Sequence, residues 1–180
     1  MNLKIEQPYT LQTLKDLVRI NSINPVLSPD GKGETEIGSY IADSLNGLGL
    51  QVTTYPIEPG RVNVVGILKG SGGGRSLLLN AHMDTVGIDG MIHDPFGAEI
   101  REGRLYGRGA QDMKGSIAAM MGAVKSLVDA DADLAGDLLF TAVADEEHGS
   151  IGTDDLVRHV SADAAIVTEP TNLTLCRAHR

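Results

Sequence analysis

Tryptophan is absent from this 180-residue sequence, and aromatic residues of any kind make up only 3% of it. Platforms on which nucleic-acid bases could stack are therefore missing. Basic residues are scarce too: 15 lysines and arginines face 24 acidic residues, for a net charge of −9. That balance argues against a phosphate backbone as partner. A single cysteine, Cys176, leaves no intrachain disulfide to form and suits a reducing compartment, so a cytoplasmic location is expected. No apolar run approaches the roughly 18 residues that a membrane-spanning helix needs. Residues 117–124 are among the longest and are interrupted by Gly122. The opening MNLKIEQPYT has no basic stretch leading into an apolar one, so neither a secretory signal nor a membrane partner is expected. What remains, 42% hydrophobic and 22% charged, is the composition of a globular protein.

Glycine, by contrast, is plentiful at 22 residues, which points to many tight turns. Thr10 is a candidate cap for a first helix carrying Leu11, Leu14, Leu17 and Val18 on one face. Two prolines and two glycines make residues 21–33 an irregular loop. A second helix is expected over 34–48, with Ile37, Tyr40, Ile41, Leu45 and Leu48 as its stripe and Gly49 as its stop. The period then shortens to that of strands, at 51–57 and 62–68 around the turn Glu58-Pro59-Gly60. The glycine-rich stretch 70–75 lacks the Gly-Lys-Ser/Thr ending of a phosphate loop and precedes a strand, so it reads as a hairpin turn. Leu77-Leu78-Leu79 should be a strand buried on both faces. A loop with a small hairpin follows at 94–106, a proline-free helix at 112–128, and a buried strand at 138–144. A short helix over 149–160 and strands at 164–167 and 173–178 complete the pattern. Helices alternating with apolar strands indicate an α/β layered fold with a largely parallel sheet.

In such sheets the functional crevice lies outside the carboxyl ends of the strands. Polar residues gather at those ends. One strand runs into His82-Met83-Asp84, a second into Asp145-Glu146-Glu147-His148, a third into Thr168-Glu169-Pro170, and Asp112 stands at the entrance of the intervening helix. So many acids on one rim are costly unless a cation compensates them. A mixed histidine and carboxylate set suits zinc or a similar transition ion better than calcium or magnesium. His82 and Asp84 are two apart and point the same way on a strand, so Asp84 could hold one imidazole nitrogen while the other binds metal. Adjacent Glu146 and Glu147 should point apart, leaving one to ligate and the other to take a proton from water, as metal-assisted hydrolysis requires. Each feature also has a plainer reading: His82 as a strand-end histidine, Asp112 as a helix cap, Glu146 and Glu147 as a solvated pair, Glu169 as a turn residue. Their convergence favours the metal.

The combination His82-Met83-Asp84-Thr85-Val86, Gly107-Arg108-Gly109-Ala110-Gln111-Asp112-Met113-Lys114-Gly115, Asp145-Glu146-Glu147 and Thr168-Glu169-Pro170 resembles the M20 metallopeptidases. That family includes acetylornithine deacetylase, succinyl-diaminopimelate desuccinylase, aminoacylase-1 and the glutamate carboxypeptidases. The resemblance implies a three-layer α/β/α fold of the zinc-exopeptidase kind and a hydrolase that cleaves the amide of an N-acyl amino acid or small peptide. It implies two zinc ions, for which cobalt can substitute. His82 and Glu169 would hold one, Glu147 the other, with Asp112 bridging them. Glu146 would be the general base and Asp84 the residue orienting His82. A cis peptide would follow Asp112.

The family pattern also contains a distal histidine on the second metal and an inserted lid domain that mediates homodimer formation. Neither is found in these 180 residues. They therefore resemble the N-terminal part of the catalytic domain, which on its own is expected to be inactive. His148 is not supported as a ligand, and His93, His159 and His179 read as surface or loop histidines. Met113, Met120 and Met121 read as core packing. Two other classes compete: a scaffold or metal-binding fragment without turnover, and a nucleotide-binding α/β domain. The latter lacks a glycine fingerprint between strand and helix.

Overall fold

The computed structural model describes residues 3–171 and residue 174. The expected last strand at 173–178, apart from Thr174, and Cys176 and His179 lie outside the described residues. Helix α1 spans Gln7–Arg19 and α2 Thr35–Gly47; strands β1 and β2 span Gln51–Glu58 and Arg61–Leu68, and β3 Leu77–His82. A small hairpin of β4 (Glu99–Arg101) and β5 (Arg104–Tyr106) precedes α3 (Lys114–Asp129), β6 (Leu138–Val143), α4 (Ile151–Leu156) and β7 (Ala164–Val167).

The five-stranded sheet has the order β1-β2-β6-β3-β7. β6, β3 and β7 pair in parallel, and β2 is antiparallel to both β1 and β6. Four strands thus run one way and β2 alone is reversed. Alternation along the strands divides the side chains between two faces. Val64, Ala81, Phe140 and Ala142 pack with Leu17, Ile41, Leu45, Ile117 and Met121 from α1, α2 and α3 in the main core. Val65 and Val143 pack with Leu156 of α4 on the opposite face. The result is the three-layer α/β/α arrangement.

Several local expectations are corrected. α1 starts at Gln7 rather than Thr10, with Pro8 in its first turn, where the missing N–H would have had no helical partner anyway. Thr10 instead turns its hydroxyl back onto the Glu6 carbonyl, 3.3 Å away. Asp112 is not the cap of α3; Met113 holds that position. α4 starts at Ile151 because Ser150, with φ of 55°, breaks the chain before it, and it ends at Leu156, where the chain enters a turn. β3 is buried at Ala81 and His82 but only half-buried from Leu77 to Asn80, since the short α4 packs against Val65 and Val143 instead. The glycine-rich stretch 70–75 is not a hairpin turn, because β6 stands between β2 and β3. It is a crossover laid against residues 134–137, where Ser71 N–H donates to Leu134 O and Gly74 N–H to Ala135 O. An added Cβ at Gly70 would stand 2.5 Å from the Gly136 carbonyl oxygen, which is why glycine is needed there.

Candidate metal centre

Three parallel strands deliver the site from their carboxyl ends. His82 is the last residue of β3, Asp84 follows it, Asp145 to Glu147 follow β6, and Glu169 follows β7. Asp112 stands two residues before α3 and is joined to Met113 by a cis peptide. The His82 ring is buried, with Nε2 3.1 Å from Asp112 Oδ1, 3.6 Å from Glu146 Oε2 and 3.8 Å from Glu169 Oε1. Its Nδ1 lies 3.0 Å from the Asp84 carbonyl and 3.5 Å from Asp84 Oδ1. Ligand atoms of His82, Asp112 and Glu169 all fall within 4.8 Å of one another. Met113, expected only as packing, is in the core and also accepts the His82 N–H on its sulfur.

Glu147 is outside that cluster of three. It lines a cavity of about 270 Å³ with Asp112, Val86 and the glycine-rich segment 107–111. Glu146 lines a different groove of about 430 Å³ with His82, Asn80, Ser150 and Glu169. The two neighbouring carboxylates therefore face different spaces, with Asp112 between the His82 set and Glu147. His148 is half exposed, 4.0 Å from Asp145, and takes no part in the cluster. His93 packs edge-on against Tyr106, and His159 stacks on Tyr55 beside Asp155.

The electrostatics follow from burial among acids. Burial pulls the His82 pKa down, but hydrogen bonds to Asp112 and Asp84 and the charges of Asp84 and Glu169 push it up to about 11. Glu147 is raised by burial and by Asp112, Asp84 and Glu146, with His82 opposing. Asp84 is buried, which would raise its pKa, yet the His82 ring, Asn24 and the Glu146 N–H bring it below the usual carboxylate range. These shifts have a signed consequence. With its folded pKa above the ordinary 6.5, protonated His82 stabilises the metal-free protein fully below about pH 6.5, and this contribution is lost as pH rises through about 11. An ion taken up at Nε2 must displace that proton, so affinity for a divalent transition ion is expected to rise about tenfold per pH unit through neutrality. Calorimetric titration at pH 6, 7 and 8 checks this, and a flat profile contradicts it.

A second, hidden set of residues supports the first. Arg61, in the β1–β2 hairpin, donates from Nε and Nη2 to the two oxygens of Glu34 and from Nη2 to Asp145 Oδ1 at 3.0 Å. Asn24 donates to both Asp84 and Asp145. Lys114 is buried, donates to the Ile20 carbonyl at 2.7 Å, and has its pKa lowered by burial to about 7. Arg61, Glu34 and Asn24 were not singled out in the sequence, where they lie in a loop and beside turns, and Lys114 stood there only as a member of the Gly107–Gly115 motif. The one local signal was Asn24 before Pro25, a pair that marks turns.

The pattern of peptidase family M20/M25/M40 matches residues 78–178, more than half of the chain. The chain belongs to that family. Within it, the chain is 38% identical over 152 residues to N-formyl-4-amino-5-aminomethyl-2-methylpyrimidine deformylase of Bacillus subtilis, covering 81% of this chain and 36% of that protein. It is 32% identical to acetylornithine deacetylase of Proteus mirabilis, covering all of this chain and 46% of the relative. An M20 family metallo-carboxypeptidase from Sulfolobus solfataricus superimposes with a TM-score of 0.75 at 27% identity, over 88% of this chain and 36% of the other. This M20 chain thus spans less than half the length of the relatives it matches. Among the described residues no helix is long and apolar enough to cross a membrane.

Proposed function

We propose that this chain carries the metal-binding and proton-transfer residues of an amidohydrolase acting on an N-acyl amino acid or small peptide. The convergence of His82, Asp112 and Glu169, with Glu146 beside them, carries the reading. One imidazole and several carboxylates form a donor set suited to zinc or cobalt, and Asp84 behind the ring is the partner that a metal-binding histidine ordinarily has. His82 and Glu169 would hold one ion, Glu147 a second, and Asp112 both. Zinc bound there supplies Lewis acidity that polarises the scissile carbonyl and acidifies water.

The remaining steps belong to the chain's own side chains. Glu146 takes a proton from the attacking water as its oxygen bonds to the acyl carbon. It then returns that proton to the departing nitrogen as the C–N bond breaks, giving a carboxylic acid and a free amine. Asp84 keeps the His82 ring in place through both steps. The names of the relatives support amide cleavage: one is a deformylase and another a deacetylase. We assign these 180 residues to the N-terminal part of the catalytic domain.

The test is hydrolysis of N-formyl, N-acetyl and N-succinyl amino acids by the protein as expressed from its gene. Turnover is expected to vanish on chelation and return with zinc or cobalt. Turnover indifferent to the chelator would overturn the reading.

A further inference from the structure

Asp84 and Asp145 are both buried. Two carboxylates buried close together must be satisfied by donors that stand between them. The donor that touches both is Asn24, itself fully buried. Its Nδ2 lies 2.8 Å from Asp84 Oδ2 and 2.8 Å from Asp145 Oδ1. A side-chain amide nitrogen has two hydrogens, so each carboxylate receives one. The orientation of the amide is also fixed. Asn24 Oδ1 accepts the Val26 N–H at 3.0 Å, and a flipped amide would turn its oxygen toward two anions. The main chain of Asn24 is tied as well, its N–H donating to the Thr85 carbonyl.

What the two carboxylates hold decides the matter. Asp84 accepts the N–H groups of Glu146 and Glu147, one on each oxygen, and stands behind His82. Asp145 precedes the two glutamates with φ of 65°, a left-handed conformation costly for any residue but glycine. Its side chain enforces that conformation by accepting the N–H groups of Gly149 and Ile151. Arg61 donates to its other oxygen, and Glu34 accepts its N–H. One amide group therefore couples the residue that aims the Glu146–Glu147 segment to the residue that seats both its amides and the histidine.

We propose that Asn24 is a positioning residue of the metal site, its amide bridging Asp84 and Asp145 so that His82, Glu146 and Glu147 stand in register. This rests on the amidohydrolase reading above. Asn24→Ala and Asn24→Ser test it, with Val124→Ala, a core truncation remote from the site, as the control for lost stability. Zinc affinity of the metal-free protein is measured by chelator competition, and kcat and KM at saturating zinc.

Loss of a partner that orients metal ligands typically weakens affinity about 10–100-fold. Asn24→Ala is expected to lose that much and to lower kcat with KM little changed. Asn24→Ser keeps one donor and should fall between. If Asn24→Ala lowers the melting temperature but leaves zinc affinity and kcat as close to wild type as Val124→Ala does, the proposal is wrong and Asn24 only stabilises the fold. If Asn24→Ala does not fold, the same comparison with Asn24→Ser decides. A wild-type protein that takes up no zinc and hydrolyses no amide would overturn the amidohydrolase reading itself, a separate and recognisable result.

Discussion

In the protein as expressed from its gene, Glu146→Gln is expected to lower turnover of an N-acyl amino acid by roughly 10²–10⁴-fold while metal content stays near that of the wild type. The substitution keeps the shape of the side chain and removes its ability to accept a proton. It leaves the main-chain N–H of residue 146 free to donate to Asp84 Oδ1, so the segment should hold its place. Glu146 is assigned no ion in the reading above, so metal uptake should persist. Glu147→Gln provides the contrast, since it weakens the ligand proposed for the second ion and should deplete the metal. Kinetics and atomic absorption on the same samples separate the two. A Glu146→Gln protein retaining turnover within tenfold of wild type would place the base elsewhere.

Arg61→Met should be the most destabilising single change in the supporting network, at about 3–5 kcal/mol. The Arg61 guanidinium is buried and satisfies Glu34, which is also buried, as well as Asp145. Removing it leaves two carboxylates without their cation, and the loss of a buried partner costs more than the pair was worth intact. The Glu34 pKa is already raised by burial against the pull of Arg61, and without the arginine it would rise further. For a chain of this size each kcal/mol shifts the melting temperature by about 2–4 °C, so a fall on the order of 10 °C is expected. Glu34→Gln in the same protein should recover part of the loss by removing the orphaned charge. Urea unfolding of both variants measures this. A single mutant within about 1 kcal/mol of wild type would mean that water reaches the site and solvates it.

Features with a local cause were legible in the sequence. The stripe Ile37, Ile41 and Leu45 marks α2, and all three are buried. The apolar run at β6 is buried at every position. Five of the six candidate site residues drew attention because polar residues gather at strand ends in a layered α/β fold, and Asp112 because it stands at a helix entrance. Features made by distant pairing were not legible. The stretch at 70–75 looked like a hairpin because nothing near it shows that β6 will separate β2 from β3. The Asn24 bridges to Asp84 and Asp145 cross 60 and 121 positions, so no periodicity or spacing could reveal them. Arg61 and Glu34 looked like ordinary charges beside turns; only burial gives them their meaning.

The strand order also constrains how the molecule comes into being. β6 pairs with β2 on one side and β3 on the other, joining Gly66 to Phe140 and Leu79 to Phe140. While the chain is being synthesised, β1 and β2 can zip together early, but the inner edge of β2 and one edge of β3 have no partners until residues 138–143 emerge, and the other edge of β3 waits for residues 164–167. Unpaired edges of apolar strands invite pairing with the wrong chain. The insertion of one six-residue strand therefore joins the two parts of the sheet and brings the acids after β6 up to His82, and the later pairing of β7 with β3 adds Glu169. A metal site assembled in this way comes into existence only with the completed fold.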